Sequence, residues 1–594
     1  MLTRIHSTIY KEGKVKRVLP TFDIEAVNWT TPIAVGLYDG ETYFEFIKKD
    51  EQDDIIWRFL EYLRDNYKGI KLYAHYAARY DNKLILSSLC NHNERVSLEV
   101  GLVRLKWEPY DIYFEDSYPL LTMPLREATK LFEVTSKGTW DHEAGLSPWE
   151  MGTKLKTFRK YLKTDCISLS KALEKLCETL TSTFGIAPSI SLSTTAVKSF
   201  SKIFFDVDKI DSNERVEEYI RSGIYGGRNE VYKRYGEHLN HFDVRSMFVS
   251  CYDTPIPIGK MEWYSGNWEE ASLVEASVKV PKDLYIGPLP YRIENLLTFP
   301  VGEFKSWWDV VELRNAAKYY RVDVTPRRKL KCNEEPILKD FGELIGRLRG
   351  DKLDFYWKMY GLALSGKFGQ SRWMDTIKYV TEITNFEGYY PLDPQELYFQ
   401  SKIYNKHSPY IKPAVSMRIR AEARVRHLNL LNTALKQGDI YYGDTDSVFC
   451  KGILPVGEKI GDLVKVSKAE RGYFIKQKLY ATVVRGSLKQ RSAGYSDVKL
   501  TERDFKDLLE GKELYEDRID LSSPKDILKN SSVKVIKKRK VISGKASISR
   551  IIEGYNSRPL ALPEDSELIY SQIEVPCDTY SEESEAFPSP EEVS

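Results

Sequence analysis

The sequence predicts a mixed α/β and α+β chain made of several domains, and three observations carry that expectation. At 594 residues the chain is too long for a single hydrophobic core and suggests roughly two to four domains. Its 42% hydrophobic and 29% charged residues are ordinary for a globular protein. Strand-like segments alternate with a helical one near the N-terminus, as in an α/β unit, whereas later segments pair strands with long helices.

Taken in order, residues 18–26 and 33–38 read as strands, 55–66 has helical periodicity, and 71–75 reads as a further strand. This α/β domain is expected to span 1–190, ending where residues 182–195 turn rich in Ser, Thr, Gly and Pro. A linker over 191–240 follows and carries Tyr225-Gly226-Gly227. Residues 239–252 read as a strand and then a helix, and 351–368 and 412–435 read as helices. The second domain is expected over 241–558, with long segments at about 255–348 and 372–410 separating its motifs. Residues 534–545 form a basic run. Residues 559–594 contain no Lys or Arg and ten Asp or Glu, the composition of a disordered acidic tail. Without that segment the chain is basic, as suits a binder of phosphate backbones, although the whole carries a net charge of only +2.

Several classes are disfavoured. No apolar run approaches a membrane span, and residues 1–20 are basic and polar without an apolar signal core. The seven cysteines are scattered with no Cys-x-x-Cys pair, which argues for reduced thiols, a cytoplasmic setting (the host's, if the chain is viral) and no zinc site.

The most informative segment is Tyr-Tyr-Gly-Asp-Thr-Asp-Ser at 441–447, two carboxylates at the tip of a hairpin with apolar flanks. Strand alternation would point Asp444 and Asp446 the same way, and a like-charged pair favours a divalent cation. Alone, Asp-x-Asp also fits metal-dependent sugar transferases and ordinary surface turns. Asp243, at the end of a strand, would complete a two-metal phosphoryl-transfer site with that pair, although a helix cap is its bland alternative. In the first domain, Asp23 and Glu25 share one strand face, Asp81 follows a strand, and Tyr161 and Asp165 share one helix face. Four acids and a phenol can hold two metals and align a water for phosphodiester cleavage, though each piece alone recurs by chance.

These segments together resemble the proofreading DNA polymerases of family B, and within them the protein-primed type of phages, viruses and linear plasmids. The resemblance implies an RNase H-like 3′–5′ exonuclease domain followed by a palm, fingers and thumb polymerase domain. Ser117, in Asp116-Ser117-Tyr118-Pro119-Leu120-Leu121, matches the single-strand-binding segment, and Lys137, in Lys137-Gly138-Thr139-Trp140, matches a lysine that assists the nuclease. Tyr76 stands where the second nuclease motif carries Asn. Tyr225, Gly226 and Gly227 resemble the Tyr-x-Gly-Gly hinge, with Ile224 in place of its first Tyr. Phe248 takes the steric-gate position, Lys358 the triphosphate-binding position of the fingers helix, and Gly366 its glycine; Leu362, Ala363 and Ser365 depart from that motif. Arg424 matches the template-contact helix, where Arg420 replaces Thr, and Lys478 and Tyr480 match the Lys-x-Tyr primer contact.

The implied activity is DNA-directed DNA synthesis with proofreading, using two magnesium ions per active site, for which manganese can substitute. The implied partners are primer-template DNA, deoxynucleoside triphosphates and a terminal-protein primer, with the chain itself a monomer. A family B polymerase that extends RNA or DNA primers and a catalytically weakened DNA-binding relic are the alternatives. The eroded fingers motif motivates the second of these.

Overall fold

A computed structural model describes residues 6–11, 14–135, 138, 140, 146–294, 296–350, 352–379, 390–391, 398–404, 408–492, 498–544 and 549–565. The chain divides into two compact units, each assembled from separated segments. The first comprises 1–199, 371–408 and 517–538; the second comprises 200–370, 409–516 and 539–594.

The first unit is built on a mixed sheet, ten-stranded among the described residues. At its centre the strand Thr21–Val27 pairs parallel with Lys71–Ala74, which pairs parallel with Ile112–Asp116. The strands Thr31–Tyr38 and Tyr43–Ile47 extend one side in antiparallel register. Phe22, Ile24, Val35, Leu37, Leu72 and Phe114 are buried, matching the alternation read from the sequence, and they pack on Phe59, Leu60 and Leu63 of the helix Ile55–Asn66. Asp54 caps that helix by accepting from the Trp57 amide. The helix Leu155–Phe184 ends on Gly185 in the left-handed conformation, φ 63°, a suitable stop for a long helix. Only residues 185–191 are thus a turn between helices, since Leu192–Ile203 is helical again.

The boundaries expected from the sequence change where distant segments join the first unit. Residues 372–410, read as an insertion in the second domain, contribute the strands Trp373–Tyr379 and Tyr398–Tyr404 to the first unit's sheet, with Thr376 opposite Glu99. They cover the strand Val96–Glu99, which would otherwise be an exposed edge. The helix Pro524–Asn530 also joins this unit, burying Ile527 and Leu528 against its core, with Ser87 Oγ donating to the Ser531 carbonyl. Pairing across hundreds of residues leaves no local trace, so the sequence read these segments with their chain neighbours.

The second unit contains a seven-stranded antiparallel sheet in the order Asn229–Val231, Ile440–Asp444, Ser447–Cys450, Tyr235–Val244, Leu463–Lys476, Leu479–Val484, Ser487–Ser492. The helices Asp354–Phe368 and Pro413–Gln437 match the helical segments read from the sequence. A separate five-stranded sheet occupies part of 262–331 and closes with Ala561–Leu562. Residues 559–565, assigned above to a disordered tail, are therefore folded: Leu560 is buried and Asp565 pairs with Arg558. Residues 566–594 lie outside the described residues. No described helix is long and apolar enough to cross a membrane.

Candidate active sites

The first site lies within the first unit. Asp23 and Glu25 occupy alternate positions of the strand Thr21–Val27, hence one face of the sheet. Asp81 opens the helix Asp81–Asn91 and is buried; its Oδ1 accepts the Ile24 amide at 3.0 Å, fixing it beside the strand that carries the other two acids. Burial pushes the Asp81 carboxyl up to about 7, with the Ile24 amide opposing and Glu25 and Asp116 adding to the rise. Tyr161 and Asp165, one turn apart on the helix Leu155–Phe184, complete the set. Burial first, and then the charges of Glu25, Asp23 and Asp165, raise the Tyr161 phenol well above its usual range. The Gly138 amide donates to Asp165 Oδ1 at 3.1 Å, and a Cβ on Gly138 would meet Tyr161 Cδ2 at 2.8 Å, so glycine is required for this close approach. Lys137 lies outside the described residues.

A cavity of about 340 Å³ adjoins these groups, lined among others by Asp23, Asp165, His75, Tyr76 and Arg126. Tyr76, the residue replacing Asn, adopts a left-handed backbone, φ 62°, and stacks on Tyr118 with ring centroids 4.3 Å apart. Asp116 ties together the two backbone segments that carry these rings: its oxygens accept the amides of Ala78 at 3.1 Å and Tyr118 at 2.8 Å. Ser117 departs from its expected role as a strand contact. It is fully buried, its Oγ donates to the Ala74 carbonyl at 3.1 Å, and it lies 3.0 Å from His75 Nδ1, so it holds His75 in place. Sequence reasoning missed His75, Arg126 and the positioning role of Asp116. Asp116 opens one quoted motif and His75 precedes Tyr76 of another; Arg126 carries no motif.

The second site lies within the second unit. Asp444 ends one hairpin strand opposite Ser447, leaving Thr445 and Asp446 as the two-residue turn, with Thr445 at φ 52°. Asp446 is therefore brought beside Asp444 by the turn, and not by strand alternation as the sequence suggested. Asp243 faces Ser447 on the adjoining strand, and the Val244 amide donates to the Asp446 carbonyl at 2.9 Å. Burial pushes Asp243 up to about 6; Lys358 lowers it, Asp444 raises it, and Arg349 lowers it. Asp446 is driven well above the carboxylate range by burial and then by Asp243 and Asp444, with Lys358 and Lys478 opposing. The three carboxylates and two lysines therefore form one electrostatic cluster.

Lys478 pairs with Asp444 Oδ1 at 2.8 Å, and its amide donates to the Tyr442 hydroxyl at 2.9 Å. Tyr480 packs on Tyr442 with centroids 4.8 Å apart. Phe248 is part-exposed while its neighbours Met247 and Val249 are buried, so its ring is not core filling. Gly366 has open space around it, and nothing steric explains the glycine. Arg349, absent from the motifs, bonds Asp354 and Ser246 and reaches Asp243 electrostatically.

Three expected substrate contacts are structural instead. Arg424 is 4% exposed; it pairs with Glu312 at 2.8 Å and donates to the carbonyls of Tyr225 and Gly226. It anchors the hinge and is not open to a template. Tyr225 is buried with its hydroxyl bonded to Ser306 at 2.6 Å. Gly227 admits the Asp444–Asp446 hairpin: a Cβ there would meet Thr445 Oγ1 at 2.6 Å, and the Thr445 amide donates to the Arg228 carbonyl at 2.6 Å.

Both donor sets are oxygen-only, the chemistry preferred by hard divalent cations and not by zinc. Among the described residues no three His, Cys, Asp or Glu side chains are already drawn together to metal-binding geometry. The elevated carboxyl groups are what a cation would relieve.

This combination, a carboxylate-bearing mixed sheet in one unit and a carboxylate hairpin on an antiparallel sheet in the other, belongs to a fold shared with Phi29 DNA polymerase. Residues 147–389 match the family model of DNA polymerase type B, organellar and viral, and the resemblance carried by the motifs is borne out. The chain is similar to a probable DNA polymerase of Ascobolus immersus, 23% identical over 436 residues, which cover 61% of this chain and 36% of that one. A probable DNA polymerase of Podospora anserina is 21% identical over 488 residues, covering 69% and 41%. The chain thus spans well under half the length of these relatives. Phi29 DNA polymerase complexed with primer-template DNA and incoming nucleotides has the same fold, with a TM-score of 0.66 and 17% identity, over 89% of this chain and 100% of that one. Its binary complex with primer-template DNA gives 0.67.

Proposed function

We propose that this chain is a DNA-directed DNA polymerase with 3′–5′ exonuclease proofreading that replicates a viral or linear-plasmid genome from a terminal-protein primer. The observation that carries the reading is the juxtaposition of Asp243, Asp444 and Asp446 with Lys358 and Lys478. Magnesium held by the three carboxylates would lower the pKa of a primer 3′-hydroxyl and neutralise the triphosphate and departing pyrophosphate. Lys358, on the fingers helix, offers a point charge to the triphosphate, and Lys478 with Tyr480 positions the primer end. Phe248, part-exposed on the short helix that follows the Asp243 strand, excludes a ribose 2′-hydroxyl. In the first unit, Asp23, Glu25, Asp81 and Asp165 provide the metal-binding acids for hydrolysis, and Tyr161 orients the attacking water. The chain acts as a monomer in the cytoplasm.

Primer extension by the purified chain in magnesium is the test. Asp446→Asn should abolish incorporation while sparing nuclease, and Asp23→Ala should do the reverse. Wild-type protein that binds primed DNA and incorporates no nucleotide would establish the relic instead. Terminal-protein priming is checked by a covalent adduct between a candidate protein and one labelled nucleotide; extension of RNA primers without such an adduct would replace it.

A further inference from the structure

The hairpin joining the strands Thr21–Val27 and Thr31–Tyr38 turns at Asn28-Trp29-Thr30, with Val27 opposite Thr31. Asn28 and Trp29 both have left-handed backbones, φ 51° and 68°. Asn tolerates that conformation, but a bulky aromatic residue there is unusual. The Trp29 indole is nonetheless 57% exposed, so core packing does not account for it. Its ring meets the edge of Tyr80, centroids 6.4 Å apart and 81° inclined. Tyr80 immediately precedes Asp81, and its hydroxyl feels the charges of Asp81, Glu25 and Asp23. The strand that ends in this turn carries Asp23 and Glu25 themselves, with a bulge between Glu25 and Ala26.

Trp29 thus presents an open indole face, braced by Tyr80, beside the nuclease carboxylates. It is separate from the Tyr76–Tyr118 stack that borders the cavity. The nearby Arg79 is exposed, its guanidinium 5.9 Å from the Tyr76 ring centroid, and offers a cation to a phosphate beside that ring. Neither backbone preference nor burial explains an indole at this tip, whereas stacking on a nucleobase does: every base offers a π face, and an exposed ring braced by another is a ready platform.

We propose that Trp29 stacks on a base of single-stranded DNA entering the nuclease site. The terminal nucleotide occupies the cavity at Tyr76, and Trp29 grips a base a short distance away. This rests on the proposed 3′–5′ exonuclease and adds a substrate-binding residue to it. Trp29 transfers no proton and holds no metal, so it acts on affinity and not on the chemical step.

The test is binding of single-stranded oligodeoxythymidylate by the full chain in chelator, where no cleavage occurs, followed by exonuclease kinetics in magnesium. Trp29→Ala should weaken binding and raise KM about tenfold with kcat little changed, and Trp29→Phe should retain most of the affinity. Oligonucleotides carrying one abasic site, moved stepwise from the 3′ end, refine the measurement. The wild type should lose affinity at one position, and Trp29→Ala should not respond there. A variant with wild-type affinity, or with the wild-type abasic profile, overturns the proposal, including the case where Trp29 serves a protein contact. If Trp29→Ala misfolds, Trp29→Gly, suited to the left-handed backbone, takes its place. Failure of the nuclease reading is separate: wild-type chain in magnesium would then shorten no 3′ end, whatever the binding in chelator shows.

Discussion

Arg424 and Gly227 show how a motif residue can shape a site from its buried side. Burial pushes the Glu312 carboxyl up and the Arg424 guanidinium opposes it, so neither can be left alone in the interior. Arg424→Ala is expected to destabilise the second unit by about 3–5 kcal/mol in denaturant unfolding, because Glu312 becomes an unpaired buried charge. A double Arg424→Leu, Glu312→Leu variant should recover much of that loss; if it recovers none, the hinge carbonyls are the greater contribution. His427 sits beneath the Asp444–Asp446 hairpin, fully buried, with Nε2 3.0 Å from the Ser447 carbonyl. Burial lowers its pKa to about 3 from the ordinary 6.5. The neutral ring is the one that folds, so the unfolded chain binds the additional proton below pH 6.5. Stability from this residue is therefore full above pH 6.5 and falls as pH drops towards 3. His427→Gln should flatten that part of the stability–pH curve, and an unchanged slope would contradict the assignment.

At the scale of elements, the hairpin of the strands Ile440–Asp444 and Ser447–Cys450 was legible because its apolar flanks and turn residues are local. How its two acids converge was not, because the turn and not the pleat places Asp446. The tip is fixed from outside by the segment at Gly227, whose missing side chain lets Thr445 approach. Gly227→Ala should shift the tip, lowering the rate of nucleotide incorporation about tenfold or more while changing stability little. Thr445→Gly, compatible with φ 52°, removes the clash and should restore much of the rate. A Gly227→Ala variant with wild-type turnover would show that the contact relaxes freely. The long helices and the strand Thr21–Val27 were equally legible, since their periodicity is written in consecutive residues.

For the whole molecule, the two units are each stitched from separated segments, and segments 371–408 and 517–538 belong with the N-terminal sheet. Replacing 372–407 with a short linker should uncover the Val96–Glu99 edge and take Ile377 out of the core it packs in, forfeiting about 1.5–3 kcal/mol from the burial of that side chain alone. Calorimetry should then show a lower melting temperature for the first unit and a tendency to aggregate. An unchanged transition would mean that these strands add nothing to its stability. What the sequence determined by itself was the set of chemical groups and their order: the acids, lysines and aromatic residues follow local strand, turn and helix patterns that need no tertiary partner to be recognised. Only the tertiary structure decided which motif residues face a cavity and which are buried supports. Ser117, Tyr225 and Arg424 became supports, and Trp29, outside every motif, emerged exposed beside the acids. The reason is physical: chemistry is carried by residue type, whereas exposure and pairing depend on segments that meet across hundreds of residues.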